Sequence, residues 1–202
     1  MSATGLDVDN LRTGAVRAAA AALAAAPELN EQDGNMGDGD LGITVSEGYG
    51  EIAKEAPDFP ADLGQAFLVC AKAFQRVSAS SYGTLTATAF MAASMRTKGC
   101  TEIPWSELGT VLELARDSMM ARGKGSLGDK SVLDILDAVA RAIKGIVDPA
   151  SIRAAARHAA AATLHEFRNR PCKLGRARAY GDASIGMDDP GMLALWRLIE
   201  SL

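Results

Sequence analysis

The sequence predicts an all-α protein, an eight-helix antiparallel up-and-down barrel or bundle. Hydrophobic residues make up 48% of the 202 positions while aromatic residues make up only 5%, and alanine, a strong helix former, supplies much of the difference. Apolar residues recur at three- and four-residue spacing, and no segment reads as a convincing strand. The length suits one core, so we expect a single helical domain over residues 1–202.

Eight helices are predicted from these apolar stripes and from the glycines and prolines between them. In chain order they cover residues 8–26, 43–56, 61–77, 84–97, 105–122, 131–144, 149–168 and 192–202. The first is rich in alanine and is predicted to end at Pro27, which lacks a backbone donor. The second closes at "PDFP", and the third places Leu63, Phe67 and Phe74 on one face. The break "SASSYG" precedes the fourth.

The last four helices follow from the same reasoning. The fifth carries the stripe that includes Leu108, Leu112 and Ala115, and it ends in "GKGSLGDK". The sixth places Ile135 and Val139 on one face, and the seventh ends before the long connection "PCKLGRARAYGDASIGMDDPG". In an up-and-down bundle alternate connections meet at the same end. The connections after helices one, three, five and seven are therefore predicted to share one rim.

The first of those connections, "LNEQDGNMGDGDLG", crowds three carboxylates among four glycines. Asp33, Asp38 and Asp40 repel one another unless a cation compensates, and oxygen ligands select hard cations such as Mg²⁺. The glycines allow backbone amides to approach a phosphate, and Gly42 leads into a helix N-terminus that favours an anion. These features predict a magnesium-nucleotide site. The alternative is a solvated turn in which the aspartates cap helices.

Two other connections carry weaker signals. "GKGSLGDKS" is close to a phosphate-binding P-loop, but Asp129 precedes the lysine and a helix rather than a strand precedes the loop, so a true P-loop is rejected. Its glycines suit the approach of a flat ligand, and the alternative is a flexible connection in which Asp129 caps the next helix. In the last connection Arg176 and Arg178 offer forked donors to phosphate oxygens. Asp189, before Pro190, is predicted to be a helix N-cap.

Composition excludes several classes of function. The net charge of -4 and the absence of a dense basic run argue against nucleic acid as a partner. No stretch is long and apolar enough for a membrane span, and the alanine-rich start is not read as a secretory signal. Three widely spaced cysteines predict free thiols in a reducing compartment, and hence a cytoplasmic location. His158 and His165 lack a third ligand and are assigned to packing or solvent.

The motifs "LNEQDGNMGDGDLG", "RGKGSLGDKSVLD" and "GRARAYGDASIGMDDPG" together resemble the nucleotide-binding L subunit of dihydroxyacetone kinases, which also occurs as the C-terminal domain of single-chain versions. They occur in that family's order, and the resemblance spans nearly the whole chain. It implies an eight-helix antiparallel barrel that binds ATP or ADP at one rim through two magnesium ions. It also implies a separate K subunit that holds the sugar covalently, together with an ATP donor or a phosphotransfer protein that recharges bound ADP.

Carried over by the resemblance, the metal ligands are Asp33, Asp38 and Asp40, which with Arg176 form the catalytic group. The implied nucleotide contacts are Leu41, Gly42, Ile43, Thr44, Ser80, Ser81, Gly123, Val132, Arg176 and Asp189. The chain departs from the family where Leu41 replaces the usual histidine, where Ala183 replaces the usual arginine, and at "SASSYGTLT".

The leading hypothesis is therefore the nucleotide subunit of a two-component kinase for dihydroxyacetone or a related short sugar. Leu41 and Ala183 motivate a second hypothesis, a non-catalytic nucleotide sensor or adaptor of the same fold. A third is a helical interaction module whose aspartates only cap helices. The sequence leaves the sugar, the phosphoryl donor and the oligomeric state open, a homodimer included.

Overall fold

The computed structural model describes residues 5–77 and 80–202, and eight α-helices follow one another along this part of the chain. They are α1 (Val8–Gly34), α2 (Leu41–Glu55), α3 (Leu63–Val77), α4 (Ser81–Arg96), α5 (Leu108–Gly123), α6 (Val132–Ile143), α7 (Pro149–Phe167) and α8 (Pro190–Glu200). Short 3-10 turns cover Ala56–Asp58, Trp105–Glu107 and Arg176–Ser184. The predicted all-α class is confirmed. Residues 78–79, in the "SASSYG" break, lie outside the described residues.

The helices form a closed ring. Each packs on its neighbours in sequence, and α8 packs back on α1. Fully buried apolar side chains from different helices fill the interior, among them Phe74 of α3, Ile135 of α6 and Met192 of α8. The four connections after odd-numbered helices line one cavity at a single end of the ring, as the alternation of helix direction predicts.

Helix α1 is longer than predicted. It does not end at Pro27 but continues through it for another seven residues to Gly34. Ala22, Ala25 and Leu29 belong to a buried cluster with residues of α2 and α8, and burial of that stripe stabilises the helix across the proline. The longer helix carries Asp33 on its last turn, at the rim.

Two short strands also differ from the prediction that no strand is present. β1 (Gly5–Asp7) pairs antiparallel with β2 (Glu102–Pro104), and Leu6 lies opposite Ile103. Three residues are too few to show an alternating pattern, so the sequence gives no strand signal here. The pair joins the start of α1 to the connection between α4 and α5, at the end of the ring opposite the cavity.

Three further findings concern the cysteines, the apolarity of the helices and the two histidines. Cys70, Cys100 and Cys172 are free thiols. Within residues 5–77 and 80–202, no helix combines the length and the apolarity that crossing a bilayer requires. His158 and His165 are both exposed on α7.

Candidate functional site

A cavity of about 420 Å³ opens at the rim and is lined by all four connections. Ten of the predicted site residues line it: Asp33, Asp38, Asp40, Leu41, Ser80, Ser81, Gly123, Val132, Arg176 and Asp189. Ile43 and Thr44 line a second cavity of about 410 Å³, which shares Asp40, Ser80 and Arg176 with the first. Residues far apart in sequence are therefore brought together as predicted.

The segment 33–40, hereafter the acidic loop, gathers three carboxylates at the cavity mouth. Asp33, Asp38 and Asp40 each offer an oxygen within 4.8 Å of the others. Asp33 fixes the loop because its Oδ2 accepts hydrogen bonds from the amides of Gly39 at 2.9 Å and Asp40 at 3.1 Å. Gly37 leaves room for this carboxylate, since a Cβ atom there would lie 2.5 Å from Asp33 Oδ1. The loop is thus folded around its own first carboxylate.

A buried methionine, Met36, anchors the acidic loop to the last connection. The Met36 side chain is only 1% exposed and packs in a small cluster with Cys172 and Ala177 of the last connection. The sequence analysis missed this role, although a methionine in an otherwise polar and glycine-rich loop is a usable signal for an anchor. The contact joins the acidic loop to the segment that carries Arg176.

The helix-capping alternative does not account for Asp40. This residue occupies the N-cap position of α2, yet its carboxylate makes no capping hydrogen bond. Asn30 caps the helix instead, because its Oδ1 accepts from the amides of Gly42 at 2.7 Å and Ile43 at 3.3 Å. Gly42 lines neither cavity, and any Cβ there would collide with the carbonyl of Ala26. In this structure Gly42 allows the close packing of α1 and α2.

One cation lies against the acidic loop. Arg176 forms an ion pair with Asp38, and this hydrogen bond holds the pKa of the Asp38 carboxyl below its ordinary value. The pKa of Asp40 moves the other way: burial raises it most, and the negative charges of Asp38 and Asp33 raise it further. The cluster therefore carries uncompensated negative charge despite the arginine.

The donor set fits a hard divalent cation. Carboxylate oxygens are the side-chain ligands that Mg²⁺ prefers, and Mg²⁺ keeps further positions for water and phosphate oxygens. Asp38 and Asp40 are exposed, so such positions open toward the cavity. Among the described residues, no other group of three or more acidic, histidine or cysteine side chains offers ligand atoms this close together.

The other half of the cavity is apolar. Leu85 of α4, Val132 of α6 and Leu174 of the last connection line it, with Gly123 at the end of α5. Walls of this kind suit a flat, weakly polar ring. Gly123 and Val132 are predicted positions, whereas Leu85 and Leu174 were missed. A lone leucine in a helix or a loop carries no distinguishing signal in one sequence.

Helix N-caps at the rim place two further predicted residues. Ser80 caps α4, and its Oγ accepts from the amide of Gly83 at 3.0 Å. Asp189 caps α8, and its Oδ1 accepts from Met192 N at 2.8 Å, with Pro190 as the first helical residue, as predicted. Burial raises the pKa of Asp189 to about 7.

The glycine-rich connection between α5 and α6 is not a P-loop. The ammonium of Lys130 is buried and donates to backbone carbonyls instead of facing the cavity. The cap of α6 is Ser131, reinforced by Asp134, rather than Asp129. The Asp129 carboxylate accepts from the amide of Ser126 at 2.8 Å.

Comparison with known proteins decides the family. The family model described as the DAK2 domain matches residues 35–202. This chain belongs to the DAK2 domain family. Its fold matches one part of the dihydroxyacetone kinase of C. freundii, whose structure in complex with AMP-PNP and Mg²⁺ superposes with a TM-score of 0.70 at 22% identity, over 94% of this chain and 32% of that one.

Two relatives in this family illustrate its range. The ADP-binding subunit DhaL of PEP-dependent dihydroxyacetone kinase 2 from Listeria innocua is 28% identical over 185 residues, which cover 85% of this chain and 82% of the relative. The L-erythrulose 1-kinase of Mycolicibacterium smegmatis is 29% identical over 187 residues, 87% of this chain but 32% of that enzyme. The DAK2 domain thus occurs both as a subunit and within longer kinases.

Proposed function

We propose that this DAK2 chain is the nucleotide-binding, phosphoryl-transferring subunit of a two-component kinase that acts on dihydroxyacetone or a related short-chain sugar. The observation that carries the proposal is the pairing, in one cavity, of three clustered carboxylates with an apolar wall. A magnesium-nucleotide has the same two halves, a charged phosphate end and a flat base. Family membership and the kinase names of the relatives support the same reading.

In this proposal Asp33, Asp38 and Asp40 hold two magnesium ions, which would neutralise charge on the nucleotide phosphates. The phosphates lie along the start of α2 and the start of α4, and the base lies against the apolar wall. The proposed contacts are the residues named from the resemblance that line the two cavities: Leu41, Ile43, Thr44, Ser80, Ser81, Gly123, Val132 and Asp189. Gly42 is left out because it packs α2 on α1. Phosphoryl transfer needs positioning and charge neutralisation more than a protein nucleophile, which suits this lining.

Arg176 is the residue that we assign to the transferred group. It lines both cavities, which supports a role for its guanidinium between the donor phosphate and an incoming acceptor. With Asp38 serving as a metal ligand, Arg176 would be free to donate to phosphate oxygens in place of its present ion pair with Asp38. The arginine would then stabilise negative charge that develops during transfer.

The proposal includes partners that this chain does not contain. A separate K subunit would hold the sugar, and a phosphotransfer protein would recharge bound ADP if the donor is not free ATP. The name of the Listeria innocua relative, an ADP-binding subunit of a PEP-dependent kinase, supports the second arrangement. We further propose that the protein is cytoplasmic, that residues 1–202 form one domain, and that neither nucleic acid nor a membrane is a partner. A homodimer is compatible with this proposal.

Calorimetric titration with ADP and with ATP, each in magnesium and in EDTA, tests the proposal on protein stripped of nucleotide. Magnesium-dependent binding is expected, and folded protein that binds neither nucleotide would overturn it. Turnover of a sugar in the presence of the cognate K subunit then separates a kinase from a sensor. The alternative is a non-catalytic sensor, because two positions depart from the family. Leu41 is buried against α1 and α8, and Ala183 is exposed.

A further inference from the structure

Lys130, in the connection between α5 and α6, is a buried cation with all its donors used. Its side chain is 1% exposed, and an ammonium has three N–H donors. Nζ donates to the carbonyls of Arg170 at 2.7 Å, Ser184 at 2.9 Å and Arg168 at 3.3 Å. Burying a charge is costly unless such hydrogen bonds compensate, and here the three carbonyls compensate for the lost hydration of the ammonium.

The three carbonyls belong to the two ends of one segment. Arg168 and Arg170 follow the last turn of α7, where free carbonyls and the helix dipole favour a cation. Ser184 ends the 3-10 segment that begins at Arg176. One ammonium therefore holds residues 170 and 184 together and closes the loop between them. We call residues 170–184 the clamped loop.

Neighbouring hydrogen bonds lock the same geometry. The amide of Lys173 donates to the carbonyl of Asp129 at 2.9 Å, and that of Cys172 donates to Ser184 Oγ at 2.8 Å. Lys130 itself has a φ of 60°, a left-handed conformation that a lysine rarely adopts without support. The α5–α6 connection and the clamped loop are thus folded as one unit.

The clamped loop carries residues that face the nucleotide cavity. Leu174 lies on the apolar wall, while Arg176 reaches the acidic loop. We infer that Lys130 is a positioning residue, which holds the clamped loop so that Arg176 and Leu174 face the bound nucleotide. The inference rests on the proposed function for its effect on binding, but not for the clamp itself.

Hydrogen exchange of the nucleotide-free protein, followed by mass spectrometry, tests the clamp. In Lys130→Met, exchange in residues 171–186 is expected to accelerate by about tenfold or more while that in α3 stays unchanged. Lys173→Met is the matched control, because this lysine lies in the clamped loop with an exposed side chain. Unchanged exchange, or uniform acceleration over all helices, would overturn the inference.

A double-mutant cycle tests positioning. Lys130→Met is expected to weaken magnesium-ADP binding by about tenfold in the native background and by clearly less in Arg176→Ala, because the group it positions is then absent. Equal losses in both backgrounds would mean a general structural role and would refute positioning. Failure of the native protein to bind ADP would instead refute the proposed function and leave the exchange result standing.

A milder variant keeps the test available if Lys130→Met does not fold. Lys130→Gln removes the charge and shortens the side chain, but it keeps an amide with two N–H donors for the same backbone carbonyls. Local acceleration of exchange within residues 171–186 is expected here too, because the ammonium and at least one of its three hydrogen bonds are lost. Its absence in folded Lys130→Gln would count against the clamp.

Discussion

Two connections at the rim use the same residue types for opposite purposes. The acidic loop (33–40) and the α5–α6 connection (124–131) both combine glycines with charged side chains. In the first, Asp38 and Asp40 are exposed and close to each other. In the second, Lys130 is buried with every ammonium donor bonded to the backbone. Asp134 of α6 is also buried, and its carboxylate accepts hydrogen bonds from two backbone amides of this connection. Charges left facing one another indicate a ligand site, whereas charges used up by backbone groups indicate a scaffold.

The largest effect is expected from substitutions in the acidic loop, the proposed ligand site. Asp38→Ala and Asp40→Ala should each weaken magnesium-ADP binding by about a hundredfold, or about 2.7 kcal/mol, through loss of a metal ligand. The helical fold should be retained because both side chains are exposed. Calorimetry in magnesium and in EDTA, with circular dichroism, measures both effects.

The matched control is Asp58→Ala, an exposed aspartate after α2 at the opposite end of the ring. It should leave ADP binding unchanged. If the two rim variants bind ADP as tightly as the Asp58 variant does, the assignment of the metal ligands is wrong.

The next largest effect is expected on stability, from a substitution that disturbs the α5–α6 connection. The Asp134 carboxylate accepts from the amides of Gly128 at 2.6 Å and Ser131 at 2.8 Å, so Asp134→Ala leaves both donors without their partner. The free energy of unfolding should fall by about 2 kcal/mol, measured by urea denaturation. A variant that loses ADP affinity at full stability would contradict the division between the two connections.

A third prediction concerns the pH dependence of stability that the buried carboxyl of Asp189 produces. The pKa of Asp189 is raised to about 7 by burial, while an unfolded aspartate titrates near 4. Between these values the folded protein holds a proton that the unfolded chain has lost, so the contribution of Asp189 to native stability falls as pH rises from about 4 to about 7. Asp189→Asn keeps an N-cap without this titration, and its stability relative to native protein should grow over that window by on the order of 1 to 2 kcal/mol.

The control residue should show the opposite dependence of stability on pH. Asp148 caps α7, also before a proline, but its hydrogen bonds with Ser151 lower its pKa. Asp148→Asn should therefore cost stability at neutral pH and lose that deficit in acid. Urea titrations measure this, from about pH 4 to pH 8 for Asp189→Asn and from about pH 2 to pH 5 for Asp148→Asn. Parallel curves for Asp189→Asn and native protein would show that the buried cap does not titrate in this range.

The smallest expected effect concerns the apolar wall. Leu174→Ala removes part of the surface proposed to cover the base and should weaken ADP binding by about fivefold. The factor should be the same in magnesium and in EDTA, wherever binding in EDTA is measurable, because this residue is not among the carboxylates. A loss confined to magnesium would place Leu174 with the phosphates instead.

The sequence predicted the parts of this molecule that depend on local pattern. Apolar spacing located the helices, alternation of direction placed the four connections at one rim, and carboxylate density identified the acidic loop. The N-cap at Asp189 followed from its position before Pro190. Each of these signals lies within a few neighbouring residues.

The features that the sequence did not predict depend on contacts between distant residues. Helix α1 passes through Pro27 because its face is buried against α2 and α8. Asn30 caps a helix that begins eleven residues later, and Lys130 reaches carbonyls about forty or more residues away. Leu85 and Leu174 become wall residues only when α4 and the clamped loop meet. No local periodicity encodes such partners.

The ring separates its two ends. All four connections that line the cavity lie at one end, so the turns at the other end can change in length without touching the chemistry. The turn between α6 and α7, where Val147 is 69% exposed before the cap at Asp148, is such a place. It is a natural point for attaching a fluorescent reporter, and in evolution a point where insertions can accumulate without loss of nucleotide binding.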